Sequence, residues 1–89
     1  MKQLTVKDLV EKLNYYKENI VELCFEGTIS MNIEFKINKI SNEKNHLIFY
    51  DNYNKKISLN NHQIMKIVIL ENEIVLIKFD SFQTLRILF

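Results

Sequence analysis

Residues 64–89 read IMKIVILENEIVLIKFDSFQTLRILF and are apolar at nearly every position. The longer polar interruptions, Glu71-Asn72-Glu73 and Asp80-Ser81, are each short enough for a hairpin loop and carry Asn, Asp or Ser, which tolerate turn backbones. The stretch therefore predicts three consecutive buried strands. A two-residue loop at Asp80-Ser81 sets Phe79 opposite Phe82, Ile77 opposite Thr84, Leu76 opposite Leu85, Val75 opposite Arg86 and Ile74 opposite Ile87. One face, Ile74, Leu76, Leu85, Ile87 and Phe89, then belongs to the core. The other holds Val75, Ile77, Phe79, Phe82 and Leu88, softened only by Thr84 and Arg86.

That second face is the functional expectation of the sequence. Left in water, each large side chain on it forgoes about 1.5–3 kcal/mol of burial, against a total stability of about 5–15 kcal/mol for a small domain. Val75, Ile77, Phe79, Phe82, Arg86 and Leu88 are therefore expected to bind a protein partner or a second copy, with the terminal strand, Thr84 to Phe89, pairing edge to edge with its counterpart.

Upstream, Val21, Leu23 and Phe25 alternate with polar or small residues, as do Ile29, Met31, Ile33, Phe35 and Ile37, so both segments predict half-buried strands. Cross-strand neighbours share a face, which requires an odd loop around Gly27, with Leu23 opposite Met31 and Val21 opposite Ile33. Gly27 is expected to supply a left-handed residue there. The alternation slips at Lys39-Ile40, as a bend serving two parts of a curved sheet requires. Ser41 to His46 then reads as a polar loop, Leu47 to Tyr50 as a short strand, Asp51 to Asn54 as a turn, Lys55 to Leu59 as a strand and Asn60 to Gln63 as a tight connection. Before the first strand, Thr5 and Asp8 form a capping box with Leu4 stapled to Leu9, and Val6, Leu9, Val10, Leu13 and Tyr16 recur at helical spacing up to a left-handed terminator at Asn19.

At 89 residues the chain, 1–89, is expected to be a single domain. Its 47% hydrophobic and 26% charged composition excludes collagen-like and disordered classes, and its one cysteine excludes a disulfide scaffold. A lone Cys24 fits a reducing cytoplasm, no secretory pattern opens the chain, and the apolar runs are too short and interrupted to span a bilayer, so a cytoplasmic protein is expected. The formal net charge of +1, with lysines and carboxylates interleaved, leaves no basic block for nucleic acid.

A helix, a strand, a long bent strand, two short strands, a one-turn connection and a fifth strand follow each other over about residues 4–70. In that order of elements the chain resembles the Sm-like proteins, small SH3-type barrels. Asn42-Glu43-Lys44-Asn45-His46 before Leu47-Ile48-Phe49 keeps the spacing of the first Sm motif without its residues. Leu59-Asn60-Asn61-His62 stands at the second motif without its Arg or Gly, and His62 before Ile64 is similar to an element of the bacterial Hfq branch, with Asn61 in place of its Lys. The resemblance implies an α+β fold, with the N-terminal helix packed on a strongly curved antiparallel sheet or barrel of six to seven strands. The strands after residue 73 extend it as a C-terminal hairpin. It also implies an RNA-binding ring as one function.

Candidate chemistry is sparse. His46 and His62, with Cys24 as a third ligand, match no metal signature, so neither metal nor cofactor is expected. Glu22, Glu26 and Glu34 with Lys36 read as solvated cross-strand charges. There is no phosphate loop and no nucleophile–base order, and the chain is not expected to be an enzyme. Tyr50, Tyr53, Lys55 and Lys56, with His46 and His62, form the candidate contact for nucleic acid or a nucleotide, where stacking contributes about 1–3 kcal/mol per base. The leading expectation is a non-enzymatic binding protein acting through protein contact. In size and in carrying no motif it resembles the small phage and mobile-element inhibitors of host defence, such as anti-CRISPR proteins. The alternatives are an Sm-like RNA-binding ring and a small-nucleotide sponge or sensor.

Overall fold

The computed structural model describes residues 2–71 and 74–89. In chain order their elements are β1 (Lys2–Gln3), α1 (Val6–Tyr15), β2 (Ile20–Glu26), β3 (Met31–Lys36), β4 (Lys39–Glu43), β5 (His46–Tyr50), β6 (Lys56–Asn60), a 3₁₀ turn (Asn61–Gln63), β7 (Ile64–Glu71), β8 (Ile74–Phe79) and β9 (Thr84–Leu88). Antiparallel pairing arranges β1-β7-β8-β9-β2-β3 in one sheet and β4-β5-β6 in another. The α+β class and the N-terminal helix are as expected. The described strands number nine rather than six to seven, and they lie in two sheets that do not close into a barrel.

The helix begins where local chemistry demands. The Thr5 hydroxyl accepts from the Asp8 N–H at 3.1 Å, and the Thr5 N–H donates to the Asp8 carboxylate at 3.0 Å, so two orphan donors are satisfied reciprocally. Leu9 and Leu13 are fully buried, and Leu4, Val6 and Val10 pack partly buried beside them. The helix stops at Tyr15, and the left-handed residue is Glu18 (φ 72) rather than Asn19. Pairing with a distant segment moves it: the Glu18 N–H donates to the Ile37 carbonyl at 2.6 Å, while the Asn19 carbonyl accepts from the Ile37 N–H at 3.3 Å.

The chain bends after β3, at Ile37-Asn38, two residues before the expected slip, and passes there from one sheet to the other. Ile37 is fully buried at that crossing. Most of the expected polar loop, Ser41 to His46, is strand instead. Lys44 and Asn45, both left-handed (φ 52 and 63), close a two-residue turn between Glu43 and His46, the geometry whose twist matches its flanking strands. The Asp51 turn is as expected, its carboxylate accepting from the N–H groups of Tyr53 and Lys55 at 2.8 and 2.9 Å. The connection at Asn60 to Gln63 is the 3₁₀ turn, capped by the Asn60 side chain.

In β2–β3, Leu23 lies opposite Ile33, Val21 opposite Phe35 and Phe25 opposite Met31. The two apolar faces coincide, as required, but the pairing is two residues further along β3 and the loop is longer. Gly27 is not left-handed. A Cβ there would lie 2.8 Å from the Gln83 Cγ, so glycine serves close approach to the β8–β9 turn. In β8–β9, Val75 lies opposite Ile87, Ile77 opposite Leu85, Leu76 opposite Arg86 and Ile74 opposite Leu88. This is one residue away from the expected pairing, because the loop holds Asp80, Ser81 and Phe82, with the Phe79 N–H donating to the Gln83 carbonyl at 2.9 Å. The extra loop residue is Phe82, left-handed at φ 61. A one-residue slip exchanges the faces of both strands, so Val75 and Ile77 belong to the core and are not a partner surface; both are fully buried. Ile74 and Leu76, expected in the core, take the outer face. At the other hairpin Glu71 pairs with Ile74; Asn72 and Glu73 of the expected turn lie outside the described residues.

Among the described residues, fourteen side chains close one core from the helix and both sheets, including Leu13, Leu23, Ile37, Phe49, Ile77 and Ile87. Ile77→Ala should therefore cost about 2–5 kcal/mol, measured by chemical denaturation, and Leu88→Ala clearly less. The reverse order would restore the two-residue loop. Thr5→Ala should lower stability by about 0.5–2 kcal/mol, seen as a lower denaturation midpoint at unchanged slope. An unchanged midpoint would show the cap to be idle. The Thr5 amide, then its hydroxyl, holds the Asp8 carboxyl below its ordinary 3.8, so the contribution of the cap is present above that value and is lost as pH falls through the lower folded-state pKa.

Candidate protein-binding surface

Three connections meet at one end of the two sheets: the β2–β3 loop, the 3₁₀ turn after β6, and the β8–β9 turn. The last two are tied by the Asp80 N–H, which donates to the Gln63 carbonyl at 2.9 Å. Between them opens a cleft of about 420 Å³, lined by Phe25, Ile29, Met31, Leu59, Phe79 and Gln83 among others. On its rim Ile29 is 78% exposed and Met31 51%. A second hollow lies beside the same turn, with Met65, Lys66, Lys78 and Phe82 on its walls. Phe82 projects at the hairpin tip with 96% of its surface in water, and Met65, at a register shift between Ile64 and Lys66, is 69% exposed. An apolar surface of this kind marks an interaction site more often than a bare surface.

The six residues expected to bind a partner separate into three places. Val75 and Ile77 are core. Phe79 lines both hollows and Phe82 crowns the turn. Arg86 and Leu88 sit on the outer face of the six-stranded sheet, where Arg86 forms an ion pair with Glu26. Edge-to-edge pairing of the terminal strand is ruled out by position: β9 is hydrogen-bonded on both sides, to β8 and to β2. Ile29, Met31 and Met65 were not legible as surface, since each reads as a strand residue until the loop length and the bulge are known.

The remaining candidates are dispersed. His46 is exposed at the start of β5, with Nδ1 3.0 Å from the Lys44 carbonyl, and His62 is exposed in the 3₁₀ turn. Cys24 is not brought to them. It is buried on the other sheet, where desolvation, chiefly, and the neighbouring Glu22 push its thiol pKa up. Among the described residues no three His, Cys, Asp or Glu side chains converge on a common point. Tyr50 lies between Lys39 and Lys56 on neighbouring strands, with the Lys39 ammonium 5.7 Å from its ring, and Tyr53 is 85% exposed in the adjacent turn with Lys55. Lys39 was missed because only strand pairing brings it to Tyr50.

The carboxylates do not pair with Lys36, which lies opposite Ile20; Glu22 stands opposite Glu34, and Glu26 has Arg86. Among the described residues, no helix is long and apolar enough to cross a membrane. No family model, curated protein or solved structure matches the chain.

Proposed function

We propose that this chain is a non-enzymatic protein-binding module that grips its partner at the end built around Phe82. The observation that carries the reading is Phe82 itself, almost wholly in water and held in a left-handed backbone. For an L-residue that conformation costs about 1–2 kcal/mol, and an aromatic side chain at 96% exposure recovers almost nothing from the rest of the chain. The loop length fixes that backbone but calls for no aromatic side chain there, and a large apolar residue kept at a left-handed, exposed position is what a contact outside the fold would retain. Aromatic anchors next to hollows are also where binding energy concentrates, and Phe82 has Met65 and Phe79 as neighbours around one hollow. A small chain that works by occupying a partner's surface is the mode of action of a phage or mobile-element inhibitor of host defence, and that is the class we favour.

Phe82→Gly should raise the denaturation midpoint, because the strain is removed, while weakening partner binding by more than about 2 kcal/mol, as loss of an anchor does. A photo-crosslinking phenylalanine analogue at position 82 should label one discrete protein in cells, and the same analogue at Tyr53 should not. Equal labelling from both positions, or a destabilised Phe82→Gly, would overturn the reading.

A second reading has one observation in its favour, the placement of Tyr50 between Lys39 and Lys56 beside exposed Tyr53. Aromatic rings among lysines suit a single-stranded RNA or a small nucleotide, and the SH3/Sm-like reading of the fold belongs with it. A raised ratio of absorbance at 260 to 280 nm in the purified protein, lost on Lys39→Glu with Lys56→Glu, is its expected signature. A protein-like ratio together with no binding of labelled single-stranded RNA would dismiss it.

A further inference from the structure

Two like-charge pairs stand on the outer face of the six-stranded sheet. Glu22 lies directly opposite Glu34 across β2 and β3, and Lys66 directly opposite Lys78 across β7 and β8. All four are exposed, and none has an ion-pair partner among the described residues. Like charges facing each other across a sheet destabilise it. Within one chain neither pair is relieved by the other, because they occupy opposite corners of the face. The acidic pair is three strands, about 14 Å, from the basic pair across the sheet and four residues, about 13 Å, along it.

Between the corners the face is largely apolar. Cys24 and Val68 are almost closed off by their neighbours, and Ile74, Leu76 and Leu88 are half-buried. The central charge is already neutralised, since Arg86 is paired with Glu26. The cross-strand rows fix this arrangement: Glu22 beside Leu88 and then Ile74, Cys24 beside Arg86, Leu76 and Val68, and Glu26 beside Thr84, Lys78 and Lys66.

We infer that this face binds a second copy of the chain. A two-fold axis in the plane of contact, perpendicular to the line that joins the two charged corners and midway between them, lays Glu22 and Glu34 of one copy over Lys66 and Lys78 of the other, twice. Residues near the axis meet their own kind: the Arg86–Glu26 pair, neutral as a unit, and Ile74 lie along it, and Leu76 of one copy falls over Leu88 of the other. The strands of the two sheets then cross near a right angle, one of the two ways in which sheets pack. The surface is thus its own complement, in charge and in apolar area, as an isologous contact requires. Because exposed ion pairs hold its two ends, the dimer should depend on concentration and weaken with salt. This contact uses residues other than Phe82 and stands or falls separately from the proposed partner site.

The test is a charge exchange read by sedimentation velocity at low ionic strength and high micromolar concentration. The wild type should sediment as a dimer. Glu22→Lys with Glu34→Lys, and separately Lys66→Glu with Lys78→Glu, should each give a folded monomer with unchanged far-ultraviolet circular dichroism. An equimolar mixture of the two variants should restore a dimer, now mixed. A monomeric wild type, variants that dimerise as the wild type does, or a mixture that stays monomeric would overturn the inference. Phe82→Gly should leave the dimer intact; if it abolishes dimerisation, the copies meet at the hairpin tip and the outer face is not the contact.

Discussion

Residues opposite each other in neighbouring strands share a face of the sheet, so the number of residues in a hairpin loop decides which side chains of both strands reach the core. In the β8–β9 hairpin Phe82 makes that number three. Val75, Ile77, Leu85 and Ile87 then lie on one side, and all four are fully buried. With one loop residue fewer, Val75 would share its face with Arg86 and Ile77 with Thr84. The core would lose an unbroken apolar layer or acquire a buried guanidinium without a partner, a cost of several kcal/mol. Against that, one left-handed residue at about 1–2 kcal/mol is the smaller penalty.

The rest of the molecule is fitted around this layer. The bend at Ile37-Asn38 sends the chain into the second sheet, and Phe35 and Phe49 meet edge to face at 5.8 Å from the two sides of that crossing. Leu9 and Leu13 of the helix complete the cluster. Beside it, Tyr16 stacks on Phe89 at 4.5 Å, which draws the chain's last residue to the end of the helix. One core shared by three layers leaves little apolar surface to spare inside, which makes the apolar residues that remain outside more informative.

Those residues are not scattered. The turn that sets the register also carries Phe82 into water, and Gly27 lets the β2–β3 loop come close to that turn through Gln83. The hollows at this end are therefore a by-product of how the core is closed, supplied with an aromatic knob by the strained residue. The same register places Lys78 and Arg86 on the outer face, Lys78 opposite Lys66 and Arg86 within reach of Glu26. The core, the proposed partner site and the proposed self-contact thus depend on a single loop length.

What the sequence by itself determined is what neighbours in sequence decide. The Thr5–Asp8 cap, the Asp51 turn and the tight connection at Asn60 to Gln63 are interactions within a few residues, legible because the side chain and the backbone group it satisfies lie side by side in the chain. The apolar run of residues 64–89 also announced its strands, and the matching of apolar faces announced that the β2–β3 loop had to be odd. Only the tertiary structure decided that Phe82 is left-handed, that Glu18 and not Asn19 turns the chain, that Gly27 serves close approach, and that Lys39 reaches Tyr50. Each of these depends on a segment far away in sequence: the core for Phe82, Ile37 for Glu18, Gln83 for Gly27, the β4–β5 ladder for Lys39. Local preference for turns was weaker there than the burial and strand pairing it had to serve, and neither of those can be read from a short window of residues.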